Sequence, residues 1–369
     1  MSGQTSPKAL SQRARNRALL ERQLLLRRVR RPAAEVVEHL VGMQSQEPRD
    51  PYVALWTRLE DFDPHELGRL LADRQAVRSP LMRTTIHLVS ARDCLTLAPL
   101  LRPVLERNLW TGSPYGRKLK GVDVEAVLAA GRALLDERPR TTAQLRTHLG
   151  ERWPADDAGS LAHAVHNLVP VVQVPPRGVW GRKGLATWAA TETWLGRPLD
   201  PAPAIDQVVL RYLAAFGPAG VMDVQTWSGL TRLREVTERL RPGLRTFRSE
   251  AGKELFDLPD APRPDPDTAA PVRFLPQFDN VVLSHADRSH IAGDAAAGWP
   301  TDGLHWSPVL VDGFVAGAWR VKKERGTAAL VLAPLGPLTD LAAVEEEATR
   351  LLEFLAPGAD RRTIELAAR

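Results

Sequence analysis

One order of elements recurs three times along this chain: helical segments, then a pair of strand-like stretches. It is clearest in the middle. Residues 122–137 have helical periodicity, Thr142 can cap a short helix through His148, and Ser160 can cap another through Leu168. Residues 169–174, a Pro-Arg-Gly turn and residues 185–190 then read as a hairpin. The pattern returns further on: 205–216, a GPAG break, 223–228 with Asp223 as cap, 231–240, then LRTFRS, the turn EAGK and ELFDLP. A first copy reads as helices over 12–30, 32–44 and 64–76 ending in the extended PLMRTTIHLVSA. Helices followed by a strand pair are the order of a winged helix, so three tandem units are expected, over 1–118, 119–200 and 201–262.

Residues 257–271, DLPDAPRPDPDTAAP, are too rich in proline and too poor in bulky apolar residues to form core, and read as a linker or exposed loop. Beyond it VRFLP, NVVLS, HWSPVLVD, FVAGAWRVK and TAALVLAP are strand-like, Asp312-Gly313 is a two-residue hairpin signal, and residues 341–355 form an amphipathic helix. The expected class is α+β, with a C-terminal β-rich domain over 263–369 built as a small β-barrel or sandwich with one closing helix.

Of the 369 residues 44% are hydrophobic and 25% charged, values that exclude a disordered or collagenous chain. No run of about 18 apolar residues exists for a membrane span, the N-terminus has no secretory apolar stretch, and Cys94 is the sole cysteine. A cytoplasmic protein is expected. The net charge of +5 is uneven: residues 1–50 hold Lys8 and nine arginines against five acids, whereas residues 340–353 carry Asp340, Glu345, Glu346, Glu347 and Glu353. One surface would then attract a polyanion and another repel it, unless these are simply solvated faces.

Tandem winged helices bind duplex DNA more often than other partners, because a helix end or wing fits a groove while basic residues meet phosphates; protein interaction is the alternative. Arg232, Arg234, Arg239, Arg241 and Arg245 crowd the third unit's presumed recognition helix and wing. In the second wing Arg177, Trp180, Arg182 and Lys183 mix cations with an aromatic suited to insertion beside a base.

GMQSQEP, residues 42–48, is the unusual feature. Val36, Val37, Leu40 and Val41 form a helical apolar stripe that puts Gln44 next in line, facing inward, where a carboxamide needs partners. Pro48 favours extended chain, which begins near Ser45; residues two apart then share a face, and Gln44 and Gln46 can point into one cleft. Spacing alone leaves a capping or loop role open. His163 and His166 have a ligand-like separation, but the helix around them explains them and no metal is expected. Asp279, Asp287 and Asp312 sit in turn-like contexts where Asp is common. Walker, GxGxxG and GxSxG sequences are absent, so no nucleotide cofactor is expected.

LLERQLLLRR, VEHLVGMQSQEPRDPYVALWTRL, LMRTTIHLVSARD, VPPRGVW, YLAAFGPAGVMDVQTWSGL, LPQFDNVVLSHADR and VDGFVAGAWR together resemble the AlkZ-type bacterial winged-helix DNA glycosylases over nearly the whole chain. The resemblance implies a C-shaped DNA clamp and a monomeric enzyme that hydrolyses the N-glycosidic bond of alkylated purines, chiefly at guanine N7, in double-stranded DNA. Several members protect antibiotic producers from their own alkylating products. The family's Gln-apolar-Gln motif falls on Gln44 and Gln46 as catalytic residues, with Ser45 where the family has an apolar residue, a departure that would loosen the packing beneath the pair. Arg83, Thr85 and His87 occupy its RxTxH-like strand, and Arg288 and His290 follow the HADR turn; all five are carried over as DNA or cleft contacts. No cofactor is implied, and no Schiff-base lysine lies near the motif. The rival from another class is a transcriptional regulator that uses the same winged helices without chemistry.

Overall fold

The computed structural model describes residues 9–293 and 306–367; Lys8 and His305, which figured in the expectations above, lie outside the described residues. The described residues fold as α+β with three sheets. In the middle third, helices Val124–Glu137, Thr142–Arg152 and Ala158–Leu168 precede the paired strands Val171–Gln173 and Thr187–Ala190. The caps fall slightly earlier than expected. Thr141 and Gln144 form a reciprocal capping box, and Asp157 rather than Ser160 caps the next helix, because its carboxylate accepts from both the Ser160 amide and hydroxyl.

Further on, helices Ile205–Phe216, Val221–Ser228 and Arg234–Leu240 lead into the antiparallel strands Arg245–Ser249 and Glu254–Asp257. The second of these helices starts two residues before Asp223, which accepts from the Gly220 amide from within the first turn. The third starts at Arg234 because Arg232 has a left-handed φ of 62°. A short N-terminal strand, Ala9–Leu10, adds in parallel to Arg245–Ser249, a pairing between segments far apart in sequence that local pattern cannot signal.

The first helix is shorter than expected. It spans Gln12–Arg22 instead of reaching residue 30, because Leu24 takes a left-handed φ of 57°. Helix Ala33–His39 follows, and after the motif comes helix Asp50–Trp56, which had no separate sequence signal. Strand Met43–Gln44 lies at one edge of a six-stranded sheet that continues through Ile86–Ser90, Ala76–Pro80, Val171–Gln173, Thr187–Ala190 and Arg140–Thr141. Arg78 pairs with Gln173, so this sheet runs across the expected boundary at residues 118 and 119.

The C-terminal part corrects the barrel expectation. Its strands, Arg273–Phe274, Ser307–Val311, Phe314–Glu324, Thr327–Pro334 and Arg361–Leu366, form an open sheet in that order, the last pair parallel. Closure would require the two outer strands to pair. Instead, helix Leu341–Leu355 covers one face with Val344, Ala348, Leu351 and Leu352, sharing a core with Val53 and Trp56. Asp312 and Gly313, both at positive φ, make the expected hairpin turn. NVVLS, read as a strand, is a short helix, Asn280–Leu283, because Asp279 caps it by accepting from the Val281 amide.

Several cations of the basic N-terminal segment are spent inside the protein, although Arg27, Arg30, Arg31 and Arg49 stay exposed. Arg22 pairs with Asp257 at 2.7 Å, Arg28 with Glu347 at 2.6 Å, and Arg17 with Asp312 at 2.5 Å. Arg58 joins Asp279 through two 2.9 Å bonds. The basic and acidic segments therefore meet each other at Arg28 and Glu347. Deleting one partner of a pair buried on both sides, Arg22–Asp257 or Arg58–Asp279, costs about 3–5 kcal/mol, because the other charge is left uncompensated.

Candidate active site

The site begins at a turn that only glycine permits. Val41 and Gly42 have φ of 54° and 88°, and a Cβ on Gly42 would lie 2.5 Å from Val89 Cγ1 and 2.9 Å from the Leu88 carbonyl oxygen. The helix therefore stops at His39, and extended chain begins at Met43, two residues before the sequence suggested. Met43 and Gln44 pair with Leu88 and His87, and the Ser45 amide donates to the Ile86 carbonyl at 2.7 Å.

Gln44 is only 7% exposed. Its Oε1 accepts from Arg83 Nη2 at 2.7 Å, a bond that fixes the amide orientation, since a guanidinium can only donate. Arg83 also donates to the Trp227 carbonyl at 2.8 Å and to Asn280 Oδ1 at 3.2 Å. Asn280 in turn donates to the Gly42 carbonyl at 3.1 Å, closing a ring of bonds behind the glutamine. Gln46 is exposed, and its Oε1 accepts from the Ile86 amide at 3.3 Å. Both carboxamides thus dock on residues 83–87. A cavity of about 10 Å³, room for one water molecule, adjoins Gln44 and is lined by Arg58, Asp279 and Asn280 among others.

Arg83 and Thr84 both sit at left-handed φ, 55° and 61°. Such strain costs on the order of 1–3 kcal/mol per residue and is tolerated where surrounding bonds over-determine it. Here the Leu81 amide donates to the Thr85 carbonyl at 3.0 Å, the Thr85 hydroxyl donates to the Met82 carbonyl at 3.2 Å, and the Arg83 guanidinium makes the contacts above. Burial, and then Arg288, lower the Arg83 pKa to about 10, so it remains a cation at neutral pH. His87 is completely buried. Its Nδ1–H donates to the Thr85 carbonyl at 3.0 Å, leaving Nε2 bare 3.4 Å from Arg83 Nη2. Burial, and then Arg83, push its pKa down to about 3, so the imidazole is neutral.

Ser45 faces the other way, fully buried. Arg78 Nε donates to its hydroxyl at 2.9 Å, Nη2 to its carbonyl at 2.7 Å, and Nη1 to Gln173 Oε1 at 2.7 Å. Sequence reading missed Arg78; its signal was the position of a long cation in the strand AVRSP. The packing is filled rather than loosened at this point. Asp50, at the start of the next helix, is buried with Oδ2 lacking a partner among the described residues. Burial, with Glu47 and Asp279 nearby, raises its pKa to about 8. Both Asp279 oxygens are occupied, by Arg58 and the Val281 amide.

The other predicted contacts divide. Arg182, Lys183, Arg232, Arg234, Arg245 and Arg288 are exposed. Arg239 and Arg241, by contrast, are tied to Asp206 and to Glu238 and Glu254. Trp180 is not poised for insertion: its ring packs 4.9 Å from that of Tyr52 and 5.1 Å from that of Phe354, tying its loop to helices Asp50–Trp56 and Leu341–Leu355. Arg177 is half-buried and donates to the Gly184 carbonyl. His87 and His290 are interior residues with no surface for a phosphate, the latter edge-on to His285 at 4.5 Å. His163 and His166 stack on different rings, Tyr115 and Trp188.

A glutamine locked by arginine thus sits at the edge of a sheet within an α+β chain. The family described as "DNA glycosylase AlkZ-like" matches residues 37–354, and the chain belongs to it. It is 25% identical to the interstrand DNA cross-link repair glycosylase of Streptomyces sahachiroi, over 90% of this chain and 93% of that protein. The solved structure of Streptomyces sahachiroi DNA glycosylase AlkZ has the same fold, with a TM-score of 0.70 and 22% identity over 97% of this chain and 100% of the other. Among the described residues no helix is long and apolar enough to cross a membrane.

Proposed function

We propose that this chain is a monofunctional DNA glycosylase that hydrolyses the N-glycosidic bond of N7-alkylated purines in duplex DNA, bulky or cross-linked adducts included, as a monomer without cofactor. Repair of alkylation damage, or self-resistance to a DNA-alkylating product, is the corresponding role. The observation that carries the reading is the Gln44–Arg83 bond. One lone pair of Gln44 Oε1 is taken by Arg83; the other can accept from a water and aim it at C1′. Gln46, exposed beside it, orients the lesion or the water. Three tandem winged helices would grip the duplex, with the exposed arginines on phosphates.

A carboxamide cannot abstract a proton, so the pair supplies position and dipoles, and the leaving group must be intrinsically good. Alkylation at N7 makes the purine cationic, and it departs as a neutral molecule. Uracil or hypoxanthine would leave as an anion unless an acid assisted, and the missing acid is worth ~10²- to 10⁴-fold. The test is a release assay on matched duplexes: free 7-alkylguanine, and possible 3-alkyladenine, should appear while uracil and hypoxanthine stay in place. Efficient uracil excision would refute the mechanism.

A further inference from the structure

Away from Gln44, one groove contains a buried cation with almost nothing bound to it. Arg15, on helix Gln12–Arg22, is 4% exposed, and its Nε has no hydrogen-bond partner among the described residues. Its one ion pair among the described residues is loose, Nη1 to Asp287 Oδ2 at 3.6 Å. A guanidinium removed from water without hydrogen bonds is costly, so a site of this kind is incomplete without an acceptor. Arg15 lines a groove whose volume is about 990 Å³ including its open mouth, together with Arg234 and Lys253.

The acids around it are largely committed elsewhere. Asp223 accepts from the Gly220 amide at 2.8 Å and the Ala286 amide at 2.9 Å. Glu254 is held by both terminal nitrogens of Arg241. Arg234 makes no ion pair with a described residue, and Lys253 reaches Asp287 at only 3.7 Å. Arg15 and Lys253 therefore share one carboxylate, Asp287, while Arg234 lines the same groove without an ion pair to a described residue. His285 and His290 behind them, lowered chiefly by burial, add no charge.

We propose that this groove is a phosphate-binding site in which Arg15, Arg234 and Lys253 receive one phosphate group. Arg15 supplies the buried fork and the other two close over the remaining oxygens. The groove adjoins the Ala286–Asp287 turn, a few residues along the chain from Asn280 in the active-site ring, so the phosphate of a bound DNA strand and that of a free phosphorylated compound are the two sources.

The probe is inorganic phosphate added to the full chain, against chloride at equal ionic strength, with melting temperature and titration calorimetry as readouts. Phosphate should stabilise the wild type, and Lys253→Ala and Arg234→Ala, both at exposed positions, should each weaken phosphate binding about tenfold. Arg15→Lys, which keeps the charge but loses the fork, should weaken it further. No phosphate effect in the wild type, or an equal effect in wild type and all three variants, would overturn the site. Saturating undamaged duplex distinguishes the sources: it displaces phosphate if the DNA backbone is the occupant, and leaves phosphate bound if a free compound is. Because the readout is anion binding and not base release, its failure and that of the glycosylase reading are separate results.

Discussion

Ser45 and Arg78 form a buried pair directly behind the Gln44–Gln46 motif: Arg78 Nε donates to the Ser45 hydroxyl at 2.9 Å, while Nη2 of the same guanidinium holds the Ser45 carbonyl at 2.7 Å. Burial, and then Arg177, lower the Arg78 pKa to about 10, so its charge is retained and needs those acceptors. The serine between the two glutamines is thus matched by an arginine two strands away.

An apolar residue at position 45 should accordingly harm this chain. Ser45→Val leaves Arg78 Nε unsatisfied and should cost about 1–3 kcal/mol, measured by urea unfolding. The double variant Ser45→Val/Arg78→Met should be more stable than the sum of the two single losses. Strict additivity would show that the two side chains are not coupled.

Arg83 is expected to act through Gln44. Arg83→Lys preserves charge but cannot reach Trp227, Gln44 and Asn280 at once, so single-turnover base release should fall by roughly 10²-fold, with duplex affinity changed far less. A parallel loss in affinity and rate would make Arg83 a DNA contact instead.

Stability should depend on pH through Asp50. Its folded pKa of about 8 lies above the ordinary 3.8, so between those values the folded chain keeps a proton that the unfolded chain has lost. Stability contributed by the neutral carboxyl is full below pH 3.8, falls as pH rises and is lost above about 8. Asp50→Asn removes the titration and should be stabilising at pH 8, with a smaller gain at pH 5. Equal melting temperatures across that range would contradict this. Neither Gln44 nor Gln46 titrates and His87 stays neutral, so the base-release rate itself should vary little from about pH 6 to 8.

The exposed arginines give a prediction about grip. If Arg232, Arg234 and Arg245 meet phosphates, each alanine variant should weaken lesion and plain duplex about equally and flatten the salt slope by roughly one unit. Unchanged slopes would place the DNA path elsewhere.

Much of this was legible from local pattern. The helices before each strand pair, the Asp312-Gly313 hairpin and an inward Gln44 follow from periodicity and turn chemistry alone. What escaped depends on distant partners. Arg15, Arg17 and Arg22 look like a basic surface until Asp257, Asp287 and Asp312 arrive from more than 200 residues away. Trp180 looks like a wing-tip aromatic until Tyr52 and Phe354 cover it. Asn280 looks like part of a strand until Asp279, by pattern a turn residue, caps it into a helix.

The most direct measurement is single-turnover release of 7-methylguanine from duplex DNA under saturating enzyme, comparing wild type with Gln44→Ala. The wild type should release the base, and Gln44→Ala should be slower by at least ~10²-fold while still folded and binding the duplex within a few-fold of wild type. Full activity in Gln44→Ala, or no release by the wild type, would contradict the account.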